Sequence, residues 1–200
     1  VKYSKTAKFV ADEFAELEHR LLEKIICNFS VFQSIPDHWA LDQLFPIVPI
    51  HRLNEKPTRR ATIVDITCDS DGEVDKFVDL KDIKPALEVH ELRPNEPYYL
   101  AFLLIGAYQD TMGDLHNLFG AVNEAHVLVD ETGKFIIQSA RRGDTVGRAI
   151  EICGYEPEKL IRTVKASLQL KVNDGQMTLA EASKLVEDYK RRFNGYPYLT

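Results

Sequence analysis

Cys68, Asp69 and Asp71 stand together in the run Ile66-Thr67-Cys68-Asp69-Ser70-Asp71-Gly72. A thiol can act as a nucleophile, a metal ligand or a proton donor. Neighbouring carboxylates disfavour the thiolate that the first two roles need. Giving up a proton at a chosen atom suits that electrostatic setting better. A carboxylate in a half-closed pocket suits a cationic ligand, and with a guanidinium it can form a bidentate pair. In an extended strand Asp69 and Asp71 would share one face, whereas in the turn that Ser70 and Gly72 favour only one need point inward. From Asp65 to Asp82 seven acids face two lysines, Lys76 and Lys81, a balance that attracts positive ligands at longer range. The competing reading is an ordinary solvated acidic turn.

A second reactive block, Gly106-Ala107-Tyr108-Gln109-Asp110, closes another apolar run, Tyr98 to Ile105. Small residues let a ligand approach the backbone, and the Tyr108 hydroxyl could donate to a phosphate oxygen. The competing reading is a rim tyrosine with a buried ring and a wet hydroxyl. Cys27 and Cys153 read as small buried hydrophobes. His116 and His126 fit no metal-ligand spacing, so no metal site is expected, and His116 is expected to cap or pack within Leu115 to Phe119.

These groups need elements to position them. Phe9, Val10, Phe14, Leu17, Leu21 and Ile25 recur at helical spacing and predict an amphipathic helix over residues 1–27, which must lay its stripe on a partner surface. A helix entered almost at once suggests a piece of a longer protein. Strands are predicted over 28–33, 45–51, 61–66, 77–80, 86–92, 98–105, 125–129 and 135–139, the last two closing a hairpin around Asp130-Glu131-Thr132-Gly133. One or two helical turns are expected between Asp110 and Phe119. Many short strands without alternating helices predict an antiparallel β-sandwich or barrel. Asp144 is expected to cap a helix ended by Gly154, Pro157 to open a second, and Thr178 with Glu181 to box a third. The fold class is thus mixed α and β: a β domain at 28–141, preceded by a helix and followed by a helical segment at 142–200.

A net charge of -6 over 200 residues argues against nucleic-acid backbone binding. No apolar run reaches the ~20 residues that cross a bilayer, and no secretory leader is expected. Three distant cysteines give no disulfide framework. The expected setting is a reducing cytoplasm.

Four ordered blocks carry a wider likeness: Phe29-Ser30-Val31-Phe32-Gln33-Ser34-Ile35-Pro36-Asp37 with Trp39 and Asp42-Gln43-Leu44-Phe45-Pro46, then Asp65 to Gly72, then Gly106-Ala107-Tyr108-Gln109, then His116-Asn117-Leu118-Phe119-Gly120. With Gly195-Tyr196-Pro197-Tyr198-Leu199 at the end, the chain resembles the carboxyl-terminal third of the biosynthetic arginine decarboxylases. That resemblance implies a pyridoxal 5'-phosphate enzyme converting L-arginine to agmatine and carbon dioxide in polyamine synthesis, with a magnesium requirement also suggested. It implies an amino-terminal barrel holding the cofactor lysine, and a homodimer or higher homo-oligomer in which the Cys-Asp block enters the opposite subunit's site. By the match, Cys68 would direct protonation at the substrate's Cα, Asp69, with Asp71 beside it, would hold the cationic end, and Tyr108 would contact the cofactor phosphate. Residues 1–27 would belong to a helical insertion and the last helices to an appendage. Leu170-Lys171-Val172-Asn173 superficially matches the cofactor-lysine strand, but its helical context makes Lys171 a surface residue. The 200 residues alone are expected to be inactive. Two alternatives are a non-catalytic module that regulates assembly and a plain structural module.

Overall fold

The computed structural model describes Leu17 and residues 21–199. Its elements are β1 (Glu23–Ile26), α1 (Val31–Ser34), α2 (Pro36–Leu41), β2 (Ile47–Pro49), β3 (Arg59–Val64), β4 (Glu73–Val74), β5 (Phe77–Val78), β6 (Ile83–Lys84), β7 (Leu87–Val89) and β8 (Leu100–Phe102). There follow α3 (Ala107–Met112), a 3-10 turn (His116–Leu118), β9 (Glu124–Val129), β10 (Phe135–Arg141), α4 (Val146–Ile152), α5 (Pro157–Asn173) and α6 (Leu179–Phe193). The chain divides into two compact units, Val1–Gly113 and Asp114–Thr200.

In the first unit β3 is the organising strand. β1 pairs with it in parallel, while β4 and β7 pair with it antiparallel. Ala61 and Ile63 of β3 are fully buried and join Val31, Ile35, Phe45, Phe77 and Val89 in one apolar core. β2 pairs with β8 and β5 with β6, each antiparallel. Among the described residues the strands make these small sheets and no closed barrel.

Three expectations change here. The helix expected over 1–27 lies mostly outside the described residues, but its last stretch, Glu23–Ile26, is strand. An exposed edge of β3 offers it a full ladder, and the Glu23–Arg59 (2.5 Å) and Lys24–Glu73 (2.7 Å) ion pairs fix the register. The pairing is parallel, against the all-antiparallel expectation. A parallel neighbour needs a long crossover, and the stretch from Cys27 to Thr58 supplies it. The strand expected at 28–33 is instead a helical turn. The Ser30 hydroxyl accepts from the Gln33 N–H (3.3 Å) and the Asp65 carboxylate accepts from the Val31 N–H (2.9 Å), so first-turn donors are satisfied without a sheet partner.

In the second unit the hairpin forms at the expected place, its turn closed by the Asp130 carboxylate accepting from the N–H groups of Thr132 and Lys134. The sequence grouped this hairpin with the β domain of residues 28–141. Its base leads into segment 120–123, where Asn123 accepts from the Gly143 N–H (2.9 Å) and Asp144 from the Ala121 N–H (2.9 Å). Asp144 is therefore occupied elsewhere, and Thr145 caps α4 by accepting from the Arg148 N–H (3.2 Å). Gly154 ends that helix at φ +86°, and Pro157 opens α5. Thr178 and Glu181 form the expected reciprocal box on α6, and the bonds from Thr178 hold the Glu181 carboxyl below its ordinary range. The Tyr198 hydroxyl donates to the Gly120 carbonyl at 2.8 Å, so two of the sequence blocks, 116–120 and 195–199, meet in space.

Candidate functional site

The 65–72 turn is built around Asp65, a residue with no individual role in the sequence reading. Asp65 is buried, and its two carboxylate oxygens accept from the Val31 N–H, the Thr67 N–H (2.8 Å) and the Thr67 hydroxyl (2.7 Å). Its own N–H donates to the Gly72 carbonyl at 2.8 Å. Gly72 is required by this packing, because a Cβ there would stand 2.3 Å from an Asp65 oxygen. The spacing Asp65-x-Thr67 just past a strand was the available signal, since aspartate bonding the backbone two residues on is a turn-former.

On this base, Cys68, Asp69, Ser70 and Asp71 are all exposed. Asp69 accepts from the Asp71 N–H (3.0 Å), an Asx-type turn that draws the tip together. Asp71 accepts from the Trp39 indole N–H at 3.2 Å, so its carboxylate is braced from α2. Cys153 is exposed, against the expectation of a buried small hydrophobe. Cys27 meets that expectation more closely: it is half-buried against the core, and burial pushes its thiol up to about 11.

Tyr108 sits in the first turn of α3 and is 78% exposed, so the reading of a rim tyrosine with a buried ring does not hold. Space beside Gly106 is open, with nothing within 4 Å of where a Cβ would stand. The next residue, Gln109, is buried and reaches across to α2. Its amide oxygen accepts from the Asp37 N–H (3.1 Å) and its amide nitrogen donates to the Asp37 carboxylate (2.5 Å). The neighbouring His38 places its two ring nitrogens against the carbonyls of Gln43 (3.0 Å) and Glu73 (3.3 Å). The two reactive blocks are thus both tied to α2, one through Asp37 and the other through His38 and Trp39. Nothing local in the sequence marks these long-range partners.

Among the described residues no cluster of three or more His, Cys, Asp or Glu could hold a metal ion, and no helix is long and apolar enough to cross a membrane. Lys171 is exposed in the last turn of α5, near the Gln176 amide (3.4 Å), as its helical context predicts. A cavity of about 660 Å³ between β1, β8 and segment 92–99 is lined by none of the candidate residues.

The exposed thiol-carboxylate turn belongs to the first unit, and the long helices α5 and α6 belong to the second. The family model described as the arginine decarboxylase C-terminal helical extension matches residues 146–199. The biosynthetic arginine decarboxylase of Deinococcus radiodurans is 50% identical over 192 residues, covering 96% of this chain and 29% of that protein. That of Gloeobacter violaceus is 45% identical over 196 residues, covering 96% of this chain and 30% of that protein. Among solved structures, the biosynthetic arginine decarboxylase of Campylobacter jejuni superposes with a TM-score of 0.75 at 34% identity, over 88% of this chain and 29% of that one. This chain is a homologue of the carboxyl-terminal portion of the biosynthetic arginine decarboxylases. It spans less than a third of the length of these curated relatives.

Proposed function

We propose that these residues act as the carboxyl-terminal part of a pyridoxal phosphate-dependent decarboxylase that turns L-arginine into agmatine and carbon dioxide in the cytoplasm. The observation that carries this reading is the exposed Cys68-Asp69 tip on a turn pinned from behind by buried Asp65. A rigid base with an exposed reactive tip suits a site completed by a neighbouring subunit, in a homodimer or larger homo-oligomer. That the relatives carry an enzyme's name favours this over a regulatory or purely structural module.

The chain's residues fit a shared role toward the cofactor. Tyr108 offers an exposed hydroxyl beside the open Gly106, where a phosphate oxygen can approach. When bound, pyridoxal phosphate supplies the electron sink that lets carbon dioxide leave. Asp69 would pair with the substrate's guanidinium, with Asp71 as the second carboxylate, held by Trp39. Cys68 would then deliver its proton to the substrate's Cα. The anchoring lysine would come from an amino-terminal barrel, and the 200 residues alone would turn over no arginine. Residues 28–141 would belong to the β domain and 142–200 to the appendage. A magnesium requirement belongs to the same reading.

Two variants of the full-length enzyme test it. Cys68→Ala should cut agmatine formation about a hundredfold and raise side products of misplaced protonation. Unchanged turnover and product ratio would remove the assigned role. Asp69→Asn should raise the Michaelis constant for arginine about tenfold, the cost of a lost charge-assisted bond. A constant that stays put would move recognition to Asp71 or off this chain.

A further inference from the structure

α2 carries no side-chain cap of its own: Ile35 holds the capping position and Pro36 opens the first turn. The Asp37 N–H in that turn is taken instead by Gln109, 72 residues along the chain, and the Asp37 carboxylate takes the same amide's N–H. The amide's orientation is fixed, because reversing it would set oxygen against carboxylate and N–H against N–H. Gln109 is 5% exposed and Asp37 half-buried, so this two-point contact is partly shielded from water. One residue before it stands Tyr108. One and two residues after Asp37 stand His38, against the Glu73 carbonyl, and Trp39, on the Asp71 carboxylate. A short chain of contacts therefore runs from the Tyr108 helix to the Cys68 turn.

We infer that the Gln109–Asp37 pair is a positioning lock that holds α2 in place on α3, and through Trp39 the thiol-carboxylate turn, and so decides how the thiol is presented. This deepens the proposed function and rests on it for its consequence. A displacement of ~1 Å can cost about a hundredfold in a reaction that depends on alignment. Gln109 and Asp37 would not touch substrate or cofactor. They would act through α2.

The test is competitive alkylation of the full-length, cofactor-loaded protein carrying these residues, read cysteine by cysteine by mass spectrometry. Cys153, exposed in the second unit, is the internal reference, and half-buried Cys27 reports loss of fold. Gln109→Glu sets two carboxylates face to face. It should change the Cys68-to-Cys153 rate ratio by about twofold or more, the lower end of coupling between contacting residues. Adding Asp37→Asn returns an N–H donor to the new carboxylate and should restore the ratio and, in the same enzyme, the agmatine-to-side-product ratio. Should Gln109→Glu unfold the unit, Cys27 will label rapidly and the double variant decides: recovery of Cys27 protection and of the Cys68 ratio supports the lock. An unchanged ratio in Gln109→Glu, or a double variant that fails to restore it, overturns the inference. Alkylation reads the lock even if the enzyme proves to use another substrate, so the two ideas fail separately.

Discussion

The Cys68 turn and the Tyr108 helix present their reactive side chains in the same way and are held in place differently. Each exposed group stands near a buried polar residue: Asp65 behind Cys68, Gln109 behind Tyr108. Asp65 works mostly at close range, bonding Thr67 two residues on and Val31 across the core. Gln109 works only at long range, through a single helix N-terminus. A carboxylate that accepts three bonds in a buried place holds the fold itself, whereas an amide that caps one short helix sets alignment more than stability.

The sharpest way to break this comparison is Asp65→Ala. Removing the carboxylate strands the N–H groups of Val31 and Thr67, and urea unfolding should show a loss of about 4 kcal/mol. A loss below that of a single surface cap would mean that the turn is held by something else. The second effect comes from alkali. Burial raises the Cys27 thiol from 9.0 to about 11, and Cys27 lies beside this turn, its N–H donating to Val64. Because the folded value is the higher one, the stabilisation is complete below pH 9.0 and falls away as pH climbs toward about 11. The loss should approach about 2–3 kcal/mol over that window, and Cys27→Ser should flatten it. Smallest is Gln109→Ala, which should cost about 1 kcal/mol, as for a lost cap, while shifting product ratio more than stability. A cost equal to that of Asp65→Ala would erase the difference between the two blocks.

Where bonding is local, the sequence was readable. The Thr178–Glu181 box, the Asp130 turn, Pro157 and Gly154 fell where their chemistry put them, because each motif carries its partner within a few residues. Asp144 misled because it looked like a cap with Thr145 beside it, and only packing revealed that its carboxylate serves Ala121. Glu23–Ile26 misled because its helical stripe continued into a segment that β3 recruits as a parallel neighbour. Cys68, Asp69, Asp71 and Tyr108 were legible as candidates from type and place, and all four are exposed. The residues behind them were not.

The sequence alone named the candidate side chains, marked where the last two helices begin, and carried the likeness to arginine decarboxylases, since residue types and short spacings encode these directly. Tertiary structure decided the rest: that Asp65 and Gln109 are the supports, that α2 joins the two blocks, and that the first described strand runs parallel to β3. Those depend on partners dozens of residues apart, and a hydrogen bond across such a gap leaves no period in the chain.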